Sequence, residues 1–546
     1  MLLKKTARFI LVLIGVLLIL FLVLQVLMNT YFNKRIGERI HEEFDKSGNS
    51  TYSLDFDTPS LSLFNRSIQI KNITFLPLKV DEDSTKVMYN ILVKELTVSG
   101  IGLSDLRKKN FNAANLLIDG LSVMIYQGAR VKGEKVVNKG DQSESPKINS
   151  VKFGSIQVDD VQLKIFHDRK DTIPTFLAAR NSINIKNFVV DSITRSLDKP
   201  FSADVFDISM SDLQYRFPNG LYTLTGKHLN TSYFDSILKI DSIDLLPNFS
   251  KEKFGEIVGY QVSRTKVGFS QLNFLALDIR QFLENNAFIA RRLQIEGLSI
   301  NVFRDNNIKF KNIVRPSMQQ IIRKMPIILS IDSTIIPNGR IVYEELSEGA
   351  SSPEKISFEI FNAVITGLNN DTSNYNEKSK MDVRCSASFM NKSRFELSCS
   401  FPLNTTQETF YCSGVLTELP FSTMDKLLEK KAHATVAGQL DSLKFNFYAN
   451  NARSKGKLRF IYHDLKITLL DKEENVSKLK NKITSLILEK VFIEESNPGK
   501  DGIVRMSDIS FERDPYRFFV YYIWKSIQSG IAPAVGIPVL KKKDIK

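Results

Sequence analysis

The sequence predicts a mainly β protein carried by one N-terminal transmembrane helix, and three observations predict it. Residues Phe9 to Met28 form an apolar run in which Gln25 is the only strongly polar side chain. Beyond residue 50, apolar residues recur with a period of two. A long piece of that pattern occurs twice in the chain.

The run from Phe9 to Met28 has the length, roughly twenty residues, that spans the hydrocarbon core of a bilayer. A cleaved secretory peptide has a shorter apolar region followed by small residues, whereas here the run leads through Val26, Leu27 and Met28 into Asn29, Thr30, Tyr31 and Phe32. The segment is therefore expected to stay as a signal anchor. Lys4, Lys5 and Arg8 precede it, so the positive-inside rule makes residues 1–8 a cytoplasmic stub and places the bulk of the chain outside. Lys34, Arg35 and Arg39 on the far side soften that contrast.

The 546 residues are 43% hydrophobic and 25% charged, a balance that excludes wholesale disorder. The net charge of +14 arises from 74 Lys and Arg interleaved with 60 Asp and Glu. Interleaving points to a solvated surface and away from a nucleic-acid partner. Lys541, Lys542, Lys543 and Lys546 form a basic cluster, read as a polar chain end. Cys385, Cys399 and Cys412 fall at intervals suited to successive strands, which leaves one disulfide open. The odd count and the lack of a Cys-x-x-Cys spacing make buried thiols the expectation.

The strand pattern begins with Leu54 and Phe56, Leu61 and Leu63, Ile68 and Ile70, then Ile73 and Phe75, each separated by polar residues. This is the rhythm of strands with one buried face. It returns in Leu121-Val123-Ile125, Val161-Leu163-Ile165, Leu443-Phe445-Phe447 and Leu458-Phe460-Tyr462. Asp119-Gly120 and Pro218-Asn219-Gly220 read as turns, and short strands joined by tight turns predict an antiparallel sheet.

The stretch from Tyr52 to Pro77 aligns with Tyr222 to Pro247 at a constant offset of 170. Ile118 to Tyr126 aligns with Ile295 to Phe303 at an offset of 177, which a short loop insertion explains. We read a first β block over 29–220, a second over 221–400 and a C-terminal β segment over 401–546. Repeats that match in apolar pattern but in no polar constellation preserve a stacking unit. About 25 strands at about 4.8 Å each would build an elongated body on the order of 120 Å long.

A few short helices are expected to cap the sheet: 274–286, 314–325 with Pro316 in its first turn, and 422–431 with Ser422 as cap. Residues 475–488 place Leu479, Ile483, Leu486 and Ile487 on one face. The aromatic segment Tyr516 to Trp524 reads as an amphipathic capping helix, with contact to a membrane interface as the other reading.

Reactive constellations are missing. His41, His167, His228, His433 and His463 are scattered, with no metal-ligand spacing. The sequence holds no nucleophile elbow, phosphate-cradling loop or dinucleotide fingerprint. Asp159-Asp160 and Glu344-Glu345 read as solvated carboxylates at turns. No catalytic residue, metal or cofactor is expected, and the protein is not read as an enzyme.

Leu61-Ser62-Leu63-Phe64 and the phrase from Ser67 to Thr74 follow the anchor directly, and Ile118 to Val123 repeats their form. Near the C-terminus stand Lys457 to Leu470, Arg513 to Phe519, Trp524-Lys525-Ser526 and Gly530. Together these resemble the AsmA-like family of bacterial envelope proteins. The resemblance implies a long, curled sheet forming a groove with an apolar floor, rooted in the inner membrane and reaching into the periplasm. It further implies phospholipid transport or handling between membranes and a part in outer-membrane homeostasis, with membrane lipids and other envelope proteins as partners. The chain is short beside the largest members. Groove-lining candidates in the first block are Ile68, Ile70, Ile73, Leu121, Val123 and Ile125. In the second they are Leu238, Ile240, Ile243, Leu298 and Ile300. The alternative is an envelope assembly or adaptor scaffold that binds proteins and transports no lipid.

Overall fold

The computed structural model describes residues 34–46, 51–62, 64–78, 87–106, 108–127, 149–196, 201–233, 235–285, 287–405, 407–432, 434–470 and 494–536. The expected anchor from Phe9 to Met28, the expected helix over 475–488, His433 and the basic cluster at Lys541 to Lys546 lie outside the described residues. Among those described, no helix is long and apolar enough to cross a membrane.

Among the described residues the fold is mainly β, with twenty-one strands assigned to a mixed sheet. The chain divides into two compact units, Met1–Gly220 with Leu224–Asp235, and Leu221–Thr223 with Ser236–Lys546.

The first unit holds β1 (Tyr52–Asp55), β2 (Ser60–Ser62), β3 (Ser67–Pro77), β4 (Met88–Ser99), β5 (Asn110–Tyr126), β6 (Ser150–Phe166), β7 (Phe176–Val190) and β8 (Val205–Arg216), with most of β9 (Tyr222–Ser232). Its helices are α1 (34–46), α2 (Leu103–Leu106) and α3 (Ser192–Ser196). β1 and β2 both pair with β3, and β3, β4 and β5 follow in antiparallel order. β5 and β6 are parallel, and β6, β7 and β8 are antiparallel again. α1 packs by His41 stacked on Phe56 and Phe44 edge-on to Phe75.

The second unit contains β10 (Ile237–Pro247), β11 (Ser263–Leu277), β12 (Ala287–Glu296), β13 (Ser299–Asp305), β14 (Ile328–Leu346), β15 (Glu354–Asn369) and β16 (Lys380–Phe389). β17 (Ser393–Pro402), β18 (Phe410–Pro420), β19 (Ala434–Ala449), β20 (Arg453–Leu469) and β21 (Met506–Glu512) complete it. Its helices are α4 (Lys251–Val258), α5 (Ile279–Asn285), α6 (Met318–Arg323), α7 (Asp425–Ala432) and α8 (Phe519–Ala534).

The repeat read in sequence reappears as a repeated run of elements. β3 and β10 are the same length and stand 170 residues apart; β5, β6 and β7 recur as β12 with β13, β14 and β15. In the second run β12 and β13 both pair in parallel with β14, as β5 does with β6 in the first.

These parallel pairs correct the purely antiparallel expectation. A parallel pair needs a connection of a dozen or more residues, and 306–327 between β13 and β14 supplies one in the second unit. Asp119-Gly120 is not a turn: β5 runs through it and keeps register with β4 on both sides. The carboxylate pairs are likewise inside β6 and β14. β11 continues to Leu277, so the helix expected over 274–286 begins only at Ile279. In α6 the cap is Ser317, whose hydroxyl accepts from the Gln320 amide in a capping box, and Pro316 precedes it outside the helix. Ser422 lies within a 3-10 turn, Phe421–Met424, that leads into α7.

From β16 to β21 the apolar face is filled. Phe401, Phe447, Leu458 and Tyr462 are almost fully buried there. α8 covers them with Phe519, Tyr522, Ser526, Ile527, Gly530 and Ala534. Cys399 and Cys412 face each other on β17 and β18 and form a disulfide, Cα atoms 4.2 Å apart, where the odd cysteine count led us to expect thiols. Direct cross-strand opposition brings two cysteines within bonding reach whatever their total number. Cys385 is the free thiol.

Candidate functional site

Residues directly opposite on paired strands point to the same side of a sheet. In the first unit Ile70 pairs with Leu96, Leu96 with Ile118, Ile118 with Val158, Val158 with Ile183 and Ile183 with Ile208. One aliphatic row thus crosses six strands. Ile68, Val98, Leu116, Ile156, Ile185 and Phe206 make a second row beside it. Ile73, Val93 and Leu121 make a third, and Phe75, Ile91, Val123 and Leu163 a fourth, with Ile125 next to Val123 on β5 and opposite Ile165.

The opposite side is polar. Lys71, Glu95, Asp119 and Asp159 pair in series across β3 to β6. Gln69 donates to Glu95 at 2.6 Å, and Lys94 meets Asp119 at 3.1 Å.

The apolar side of the first unit is only partly covered. Ile156, Val158, Val161 and Ile185 are buried in one small cluster, whereas Ile68, Ile70, Ile73, Leu121, Val123 and Ile125 remain half-buried. α2 packs on β5 and α3 on β7, each just beyond a strand end. In the second unit Leu238 pairs with Phe274, Ile240 with Leu272, Ile243 with Phe269 and Ile300 with Val267. Leu298 is buried with Ile336 and Ala363 against Val267, Phe269, Ile295 and Ile300. Each block's candidates thus gather on one face of their own unit. Leu238, Ile243 and Leu298 are buried, and Ile240 and Ile300 half-buried.

A device missed in the sequence keeps those candidates together. Strict alternation would turn Ile73 away from Ile70, and Leu121 away from Ile118. Left-handed residues lie just before the second member of each pair: Asn72 (φ 51°), Gly120 (φ 66°) and Asp160 (φ 50°). Asp212 does the same in β8, and Ser242 and Gly297 sit at the matching places in the second unit. Each shifts the alternation by one residue and returns the next apolar side chain to the same face. Asn, Asp and Gly tolerate this conformation best, so such a residue inside an apolar step of three was the available signal.

Polar chemistry at the site is sparse. In the second unit Arg304 donates to Gln261, while Tyr343 and Asn306 both donate to Glu345. Burial pushes the Tyr343 phenol well above its ordinary range and, with Arg517 and Arg315 nearby, lowers Arg304. These groups satisfy one another. Of the histidines, His228 meets Ser211 at 3.0 Å and His463 meets Asp441 at 3.1 Å on exposed surface. Among the described residues, no group of three His, Cys, Asp or Glu side chains is placed to hold a metal ion. The arrangement offers apolar surface backed by a charged face, the chemistry of a binding surface. No protein-family model matches the chain, and no curated protein matches it.

Proposed function

We propose that this chain is an inner-membrane-anchored periplasmic scaffold of the AsmA-like kind, whose curled sheet shields phospholipid acyl chains on its apolar face during transport between membranes. The observation that carries the reading is the apolar rows of the first unit, which run across six strands and are half-buried over β3 to β5, with charge on the reverse side of β3 to β6. An acyl chain laid along such rows gains about 0.8 kcal/mol for each methylene withdrawn from water, while its headgroup stays wet. The apolar run from Phe9 to Met28 supports the anchor, and the absence of reactive constellations from the sequence favours carriage over chemistry.

Native mass spectrometry of the full chain released from its membrane tests this. Bound phospholipid is expected, and Ile118→Glu should reduce it by placing a carboxylate in the middle of one of the two six-strand rows. The filled interior of β16 to β21 favours a second reading for that part of the chain, a protein-binding adaptor surface. An adaptor would arrive without bound lipid, and Ile118→Glu would change nothing in the spectrum.

A further inference from the structure

α8 has two faces, and the core uses one. Phe519, Tyr522, Ser526, Ile527, Gly530 and Ala534 are buried. Ser526 hydrogen-bonds Ser454 at 2.8 Å, Ser507 donates to the Gly530 carbonyl at 2.6 Å, and the Tyr522 hydroxyl donates to the Asn450 carbonyl at 3.1 Å. The helix is thereby fixed in rotation. The other face presents Val520 (66% exposed) and Trp524 (48%) one turn apart, with Phe518 (52%) at the helix start. These are too large and too close together for isolated surface apolar residues.

Within the helix the charge has one sign. From Phe519 to Ala534 the helix contains no Asp or Glu. The Arg517 guanidinium lies 5.6 Å from the centre of the Tyr521 ring and Lys525 Nζ 5.7 Å from it, one turn to either side. Arg517 also stacks on Phe310 at 3.9 Å and stands 3.8 Å from Asp514, which holds it at the helix start. A rigid helix with Trp, Val and Phe outward, Tyr between two cations, and no acid has the composition of an interfacial helix on an anionic bilayer.

We infer that the outward face of α8 docks on an anionic phospholipid bilayer, with Val520 and Trp524 entering the headgroup boundary and Arg517 and Lys525 attracting the lipid phosphates. The inference is independent of acyl-chain shielding by the first unit, because either surface can bind lipid while the other does not.

Trp524 is the only tryptophan in the chain, so its fluorescence reports this face alone. The test adds vesicles of phosphatidylglycerol and phosphatidylcholine with brominated acyl chains to the full chain held in amphipol. Anionic vesicles should quench and blue-shift the emission, and pure phosphatidylcholine vesicles should do so far less. Val520→Asp should weaken vesicle binding about tenfold or more, and Lys525→Glu about tenfold. Both side chains face outward, so melting temperatures should match the wild type; Lys525→Glu, the milder change, keeps the test open if Val520→Asp fails to fold. Equal quenching in the wild type and Lys525→Glu would overturn the inference. So would emission that no vesicle moves, the outcome expected if this face serves a protein partner.

Discussion

Gly120 adopts φ 66° in the middle of β5, and a Cβ built there would stand 2.7 Å from the Cβ of Lys94. A branched side chain meets both the left-handed strain and the clash. Gly120→Val should destabilise the first unit by about 2 kcal/mol, read from denaturant unfolding. Glu408 is buried, and burial alone would raise its carboxyl pKa. Hydrogen bonds from Ser317, Asn451 and Gln320 and the charge of Arg323 outweigh that and hold it below the usual carboxylate range. A depressed folded-state pKa stabilises above the unfolded value, and the contribution disappears as pH falls through the folded one. Glu408→Gln should therefore be less stable than the wild type at neutral pH and converge with it in acid. The Cys385 thiol is pushed up to about 11 by burial. Its alkylation in the native protein should stay slow at pH 8 and accelerate only as pH approaches that value; a rise centred on the range of an ordinary thiol would contradict its burial.

At the scale of elements, Leu458 on β20 is fully buried beneath α8, and a Cβ added at Gly530 would come within 3.0 Å of it. Leu458→Ala should cost about 3 kcal/mol by opening a cavity under a helix whose backbone cannot approach further. This element order was only partly legible in the sequence. Period-two patterning found the strands around Ile68, Leu121, Val161 and Leu458, because one covered face and one wet face leave that imprint. The offsets of 170 and 177 found the repeated run, because duplicated strands keep their apolar positions. The parallel pairing of β5 with β6 was hidden, since neighbouring strands alternate alike in either direction. Asp119-Gly120 misled because a left-handed residue inside a strand uses the same residue types as a turn. Helix starts erred where a strand's apolar run ends in one, as at Leu277 before α5.

At the scale of the whole molecule, two compact units carry related strand runs on different terms. The second ends in a filled core closed by a helix, and the first leaves its apolar rows half-buried over β3 to β5. A sheet face with that much partly wet aliphatic surface has capacity for an apolar ligand. The central claim is that acyl chains occupy that face in the cell. Photo-crosslinking from a benzoylphenylalanine placed at Ile70, compared with one at its neighbour Lys71 on the charged side, tests it most directly. The account predicts phospholipid adducts from position 70 and few from position 71. Equal capture from both positions, or adducts with protein alone, would contradict it.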